Sequence, residues 1–462
     1  MRAPKPASRE GRRGWLRYAR LFRQDILSAQ PVRLYRAWMA EFRTPFFRSY
    51  LCNDPALIEL ILKERPDDFP KSDRIREGLA PLLGESVFVT NGETWKRQRR
   101  IIDPAFGRGR LREAFPAMVE AADALADRLR AGPQEVEEIA SRAAADVIFR
   151  TLFSVPIEDA LAAAVFREFR AYQRTQPLLN VAALLPLPAW LPRPHARATL
   201  RAAAAIRTAI AALVERRAAE IAAGTASDDL ATKIMTFPDP VTGARFTPAE
   251  MVDQVAIFFL AGHETSASTL AWSLYLLAAH PEAQARVAAE ARPFTGAFSD
   301  LSKLPFTRDV VRETLRLYPP VPMMVREATR DEPVRDRVAR RGAQMVLSPW
   351  HLHRHERLWD DPDGFDPDRW STEAAKESAR RAYMPFSAGP RVCPGAGFAM
   401  AEGVLLLSRI VAGWRLEPIA TPVPVAHLTV RAKDGIHLTL SEREGAPEGV
   451  PRTTRDADQP LV

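Results

Sequence analysis

The sequence predicts a mainly α protein with a minor β part, and three observations carry that prediction. A tract from about residue 90 to 350 is dominated by helical patterning. Strand-like alternation is confined to short runs near the two ends, and "HLTVRAKDGIHLTL" (427–440) reads as a hairpin turning at Lys433-Asp434-Gly435. No repeat or linker divides the chain, so these strands should belong to the same body as the helices. Its 462 residues, 47% apolar and 26% charged, suffice for one large core.

Taken in order, the chain opens with a basic arm, residues 1–23, holding eight Arg or Lys against one Glu. The arm reads as solvated and partly disordered; contact with a membrane surface or a partner is the other reading. A single catalytic domain is expected over 24–446 and a flexible tail over 447–462. Within the domain, "PLLNVAALLPLPAWL" (177–191) is very apolar for a connection and reads as a lid, an interfacial contact or core. Residues 247–281 form the clearest helix. Thr247 and Glu250 fit a capping box, Pro248 stands at the first helical position and Pro281 marks the end. A second helix spans 307–320, stopped by Pro319 and Pro320. A Pro- and Asp-rich irregular stretch (356–385) precedes a last helix starting near Ala396.

Several classes are set aside. Two cysteines, Cys52 and Cys393, exclude a disulfide framework and suit a reducing cytoplasm. No run of about 18 uncharged apolar residues suggests a membrane span. No finger spacing or aromatic-interleaved basic stripe suggests nucleic-acid binding, despite the net charge of +8. His351, His353 and His355 lack an acid or cysteine at ligand spacing, so they do not read as a metal cluster.

Two places break local rules. The 247–281 helix is apolar nearly all round and should be buried, yet "AGHETS" (261–266) interrupts its middle. Burying Glu264 without a partner is costly, and Gly262 costs about 1 kcal/mol relative to alanine. Gly262 would let a flat ligand approach the backbone, and Thr265 could bond back to a carbonyl and open the helix. A plain helix kink, with Glu264 paired to an arginine, is the other reading. The second place is "FSAGPRVCPG" (386–395), which presents Cys393 among glycines, prolines and an arginine rather than packing it. Elsewhere Glu313 and Arg316 share one helix face beside apolar neighbours, which favours a buried pair with Arg369 as third member.

Together and in order, "WKRQR" (95–99), "AGHET" (261–265), "ETLR" (313–316), "FDPDRW" (365–370) and "FSAGPRVCPG" (386–395) resemble the cytochrome P450 family of haem-thiolate monooxygenases. The resemblance implies that fold, with a long central helix over a haem b and small sheets at the N- and C-terminal sides. It implies that Cys393 is the axial iron ligand. Its thiolate would be supported by backbone N–H groups and by the helix starting near Ala396, with Gly389 and Gly395 allowing close approach and Phe386 packing on the sulfur side. Because Pro394 has no N–H, only Gly395 and Ala396 remain as near donors. The resemblance assigns Trp95, Arg99, Arg326 and Arg391 to the haem propionates. It assigns Glu313, Arg316 and Arg369 to a structural lock, with His353 near it, and Glu264 and Thr265 to proton delivery over the oxygen-binding face.

It also implies a hydrophobic substrate (a fatty acid, terpenoid or steroid-like lipid), O2, and electrons from a separate ferredoxin and its NAD(P)H-driven reductase. Residues 76–90, 170–192, 321–325 and 430–436 would line the pocket, and Lys96, Arg97 and Arg100 would face the redox partner. A peroxide-using or substrate-rearranging haem-thiolate enzyme is the alternative of the same class. A haem sensor or a membrane-surface binding protein is the alternative of another.

Overall fold

The computed structural model describes residues 2–11, 20–22, 25–43, 48–175, 195–426 and 428–443. The 177–191 segment and the 447–462 tail lie outside the described residues. In chain order the elements that position the site are β1 (Met39–Arg43), β2 (Arg48–Cys52), α1 (Gly92–Ile102), β3 (Gly132–Glu135), α2 (Val136–Phe153), α3 (Ala160–Thr175), α4 (Arg197–Ala223), α5 (Pro248–Ala279), α6 (Pro305–Leu317), β4 (Met324–Glu327), β5 (Gln344–Leu347), α7 (Ala396–Gly413), β6 (Trp414–Pro418), β7 (Pro424–Ala426), β8 (Val430–Ala432) and β9 (His437–Glu442).

The central helix α5 forms as expected. Thr247 accepts from the Glu250 N–H, and Glu250 reaches back to the Thr247 N–H at 2.8 Å, closing the capping box in front of Pro248. Its 32 residues span roughly 48 Å at about 1.5 Å each. It is packed against α2, α4, α6 and α7 and is buried along most of its length. One stripe is open: Ala261 is exposed, and Phe258, Gly262 and Thr265 are half-buried. The spacing of these four, i, i+3, i+4 and i+7, places them on one face. Helix α7 is long and apolar enough to cross a membrane, but most of it is buried, which marks it as core.

The sheets are small. A four-stranded sheet runs in the order β1-β2-β5-β4, with β2 and β5 parallel and the other pairs antiparallel. It contributes short strands inside the tract that reads as helical, and the helix Glu373–Ala382 lies inside the stretch that reads as irregular.

The expected 427–440 hairpin does not form. Strand β8 pairs with β7, while β9 pairs with β6 and β3. Gly435, at φ +78°, turns the chain, but toward the start of α2 rather than back onto β8. Glu135 explains this: its carboxylate accepts from the Glu137 and Glu138 N–H groups, capping α2, and also from the Ile436 N–H at 3.2 Å.

The expected free arm is also corrected, at least over residues 2–11. Ala3 is buried, its N–H bonds to the Asp363 carbonyl at 2.8 Å, and Arg2 forms an isolated bridge with Gly364. The Lys5 ammonium pairs with Asp363, and the Tyr318 hydroxyl donates to the Pro4 carbonyl at 2.9 Å. Arg9 is held by the Ala29 carbonyl. These residues strap the body instead of leaving it.

Candidate active site

Cys393 stands on a tight loop between Phe386 and α7. Its N–H bonds to the Phe386 carbonyl at 2.9 Å, while Ser387 and Gly389 both take positive φ, 63° and 67°. Gly389 is obligatory twice over, since a Cβ there would lie 1.9 Å from the Leu62 carbonyl oxygen. The thiol has accessible surface although protein surrounds it on most sides, as a group lining a deep cleft does. Burial pushes its pKa up; the Gly395 N–H and the Arg99 charge oppose this. The second expected donor is corrected: the Ala396 N–H turns to the Cys393 carbonyl at 3.4 Å instead of the sulfur. Cys52 lies fully buried in β2, where burial raises its pKa to about 12, and is inert.

Phe106 ties this loop to the central helix. Its ring would lie 4.0 Å from a Cβ on Gly395, and it meets Phe258 and Phe398 edge-on at 5.7 and 5.4 Å. Phe258 belongs to the open stripe of α5, so Phe106 bridges that stripe and the cysteine loop.

Beside the cysteine loop cations gather, and most of them have no carboxylate partner among the described residues. The Arg391 guanidinium sits 5.1 Å from the Trp95 ring centroid, with Lys71 and Arg99 at 5.7 and 5.9 Å. Lys71 also bridges to Arg326 through its backbone. Nε and Nη1 of Arg391 are buried with no hydrogen-bond partner among the described residues. The Arg326 side chain is buried, donates among the described residues only to the neighbouring Val325 carbonyl, and has its pKa lowered to about 10 by burial and by Arg391. Lys71, held by the Val87 and Thr90 carbonyls, is pushed well down by burial and by Arg391, Arg326 and Arg99. Among the described residues no carboxylate pairs with Lys71, Arg326 or Arg391, so the cluster calls for an anionic group from outside the chain. The two propionates of a haem b fit this demand. The structure brings together Trp95, Arg99, Arg326 and Arg391, the residues the resemblance names, and adds Lys71, since a lone lysine in "FPKSD" carries no signal.

Arg99 is only partly available. It pairs with Asp103 at 2.6 Å and donates to the Val392 carbonyl at 2.8 Å, which fastens α1 to the cysteine loop. The other cations of α1 are ion-paired. Lys96 pairs with Glu93, Arg97 with Glu250 at 2.6 Å, and Arg100 bidentately with the buried Asp239. They fasten α1 to residues 239–250 and its own first turn, and the Lys96 side chain stays 43% exposed.

On α5 the expected residues part company. Thr265 Oγ1 donates to the Ala261 carbonyl at 2.6 Å, the back-bond its position suggests, on the open stripe. Glu264 is buried to one side. Its Oε1 accepts from the Gln173 amide, its Oε2 accepts from the Thr429 hydroxyl at 2.9 Å, and Arg431 lies 4.0 Å away. Gly262 stands on the open stripe, and a Cβ there would lie 2.3 Å from Ile148 Cδ1, the far end of a side chain on α2. His263 is core, bonded to Ser141 at 2.7 Å and stacked on Phe259; burial lowers its pKa to about 3. A further buried acid escaped notice. Glu402 on α7 accepts from Ser266 at 2.7 Å through one oxygen, and burial raises its pKa to about 8.

The lock is complete. Arg316 bonds Glu313 bidentately at 2.7 and 3.0 Å, Arg369 adds a bond to Glu313 at 2.9 Å, and the Asp366 N–H adds another. Arg316 also donates to the carbonyls of His353, Pro362 and Gly364. His353 Nε2 accepts the Met384 N–H at 2.9 Å.

A presented cysteine, a cradle of cations without carboxylate partners and a long central helix carrying an acid–alcohol pair fit a haem-thiolate enzyme. The comparisons with known proteins agree. The family described as Cytochrome P450 matches residues 45–438. Cyclooctat-9-en-7-ol 5-monooxygenase of Streptomyces melanosporofaciens is 34% identical over 82% of this chain and 83% of its own length. Cytochrome P450 4A7 of Oryctolagus cuniculus is 28% identical over 84% and 80%. The crystal structure of the cytochrome P450DA heme domain superposes with a TM-score of 0.79 at 25% identity, covering 96% of this chain and 98% of that one. The chain belongs to the cytochrome P450 family and is a P450 monooxygenase, with haem as cofactor and Cys393 as its thiolate ligand.

Proposed function

We propose that this monooxygenase inserts one oxygen atom of O2 into a hydrophobic small molecule of terpenoid, fatty acid or steroid-like type, with electrons from a separate ferredoxin and its reductase. The observation that carries the reading is the pairing of a back-bonded Thr265 on the open stripe with a buried, hydrogen-bonded Glu264 one residue away. Haem held by Cys393 supplies the binding and reduction of dioxygen. The chain's own residues do the rest: Lys71, Arg326 and Arg391 hold the propionates, Thr265 orders a water at the stripe, and Glu264 passes protons to it from solvent. Met323, Met324 and Val325, half-buried at β4, offer apolar contact to a substrate. The likeness to an enzyme named for cyclooctat-9-en-7-ol supports the terpenoid end of the range. A reducing cytoplasm suits a chain whose only thiols are the ligand and one buried in a strand. A membrane contact of the arm would rest on Arg12, Arg13, Arg17, Arg20 and Arg23, since Lys5 and Arg9 bond to the body.

The test measures product, hydrogen peroxide and cofactor oxidation together on an accepted substrate. Thr265→Ala should still bind substrate and consume cofactor, yet shift output from product toward peroxide. Glu264→Gln should slow turnover by about tenfold to a hundredfold. Full coupling in the first and wild-type turnover in the second would reduce both residues to helix architecture.

A further inference from the structure

Glu264 must gain and lose a proton if it relays one, and each state needs its hydrogen bonds met inside the protein. Its partners bear on this. The Gln173 side chain carries both an acceptor oxygen and a donor amide, and a threonine hydroxyl donates or accepts as it rotates. Gln173 stands on α3 and Thr429 just before β8, so the carboxyl is gripped from two elements other than its own helix. Among the described residues Arg431 is the cation paired with it, and it stays 4.0 Å away rather than closing a direct bond.

We propose that Gln173 and Thr429 are positioning residues for Glu264, a reversible cradle that keeps the carboxyl fully hydrogen-bonded whether it is charged or neutral. When Glu264 is a carboxylate, both partners donate to it. When it is protonated, one partner turns over and accepts. The cradle thereby removes the penalty that an orphaned polar group would add to each proton transfer, and it fixes the carboxyl beside Thr265. The inference rests on the relay proposed above and adds to it the residues that let the acid cycle. Among the described residues the other charged and titratable groups around Glu264 are Tyr172 and Arg170 on α3, Arg431 on β8, Glu137 at the start of α2 beyond Arg431, and His263 on α5 itself. Arg170 is engaged with Glu138 and His263 is held neutral, so neither replaces the cradle.

Two substitutions should break the cradle from its two sides. Gln173→Lys puts an obligate donor and a positive charge against the carboxyl, so that partner can no longer turn over and accept. Thr429→Val removes the hydroxyl that reaches the other carboxyl oxygen, while Thr429→Ser should restore it. The readouts are the pH profile of coupled turnover and the Glu264 carboxyl stretch in pH-difference infrared spectra of the resting ferric protein, assigned with Glu264→Gln. Both altering variants should also lose roughly tenfold in coupled turnover, with more peroxide. Wild-type profiles and an unmoved infrared band in Thr429→Val and Gln173→Lys, with Glu264→Gln impaired, would overturn the cradle alone. A fully active Glu264→Gln would overturn the relay itself.

Discussion

Glu313 and Glu264 are both buried glutamates on core helices, and their surroundings make them opposite devices. Glu313 receives two guanidinium groups and a backbone N–H, all of which can only donate. Nothing in that set can turn over and accept, so the bonds act as a fixed joint that holds the loop 360–366 around it. Glu264 receives an amide and a hydroxyl, which can reverse. The lesson is that burial alone does not tell a structural acid from a chemical one; the donor-only or two-way character of the partners does. Obligate donors make a joint, and reversible ones leave a proton free to move.

The largest effect should come from breaking the joint. Arg316→Ala removes the bidentate partner and leaves Glu313, which is fully buried, short of donors. Removing one member of a buried pair typically costs about 3–5 kcal/mol, a large share of a domain's stability. The expected result is little or no folded, haem-loaded protein, measured as Soret absorbance per milligram of purified chain. Wild-type haem content in Arg316→Ala would break the distinction between the two glutamates.

Legibility in the sequence follows the range of each interaction. The α5 capping box needs only Thr247, Pro248 and Glu250, and the Glu313–Arg316 pair lies three residues apart on one face, so both could be read locally. Cys393 and the arginines assigned by resemblance to the haem propionates were legible through a likeness that spans most of the chain. What stayed hidden depends on partners distant in sequence. Gly262 faces Ile148, the β8 and β9 strands choose different sheets, and Arg97 and Arg100 find Glu250 and Asp239. Lys71 and Glu402 sit in segments with no motif; only three-dimensional neighbours make the one part of a cation cradle and the other a buried acid.

Glu402 sharpens the comparison as an intermediate case, with one donor, Ser266, and an Oε1 that has no partner among the described residues. Its pKa is raised by burial to about 8, above the value of about 4.3 for an unfolded chain. The folded state therefore binds one proton more than the unfolded state between those values. Stability from this group is complete at low pH and is lost as pH rises through about 8, at about 1.4 kcal/mol per unit. Urea unfolding of wild type and Glu402→Gln at several pH values between 5.5 and 8.5 should show the wild type weakening with pH relative to the variant. Parallel pH dependences would mean that Glu402 is ionised, and hence better supplied with donors than its single bond to Ser266 implies.

The smallest effect concerns the strap, which touches the same loop that the lock grips from within. Asp363 is shared by Arg354, at 3.1 Å and fully buried, and by Lys5, whose side chain is 40% exposed. The inner cation holds the loop regardless, so the outer one should add only what a surface pair adds, about 0–1 kcal/mol. Lys5→Ala should lower Tm slightly at low ionic strength, and that difference should fade near 1 M salt, where the screening length falls to about 3 Å. Haem content should not change, because Glu313, Arg316 and Arg369 keep all their bonds. A loss well beyond about 1 kcal/mol that persists in salt would mean the strap shares the load of the lock, and the boundary between a fixed inner joint and a lightly held outer segment would have to be redrawn to include residues 2–5.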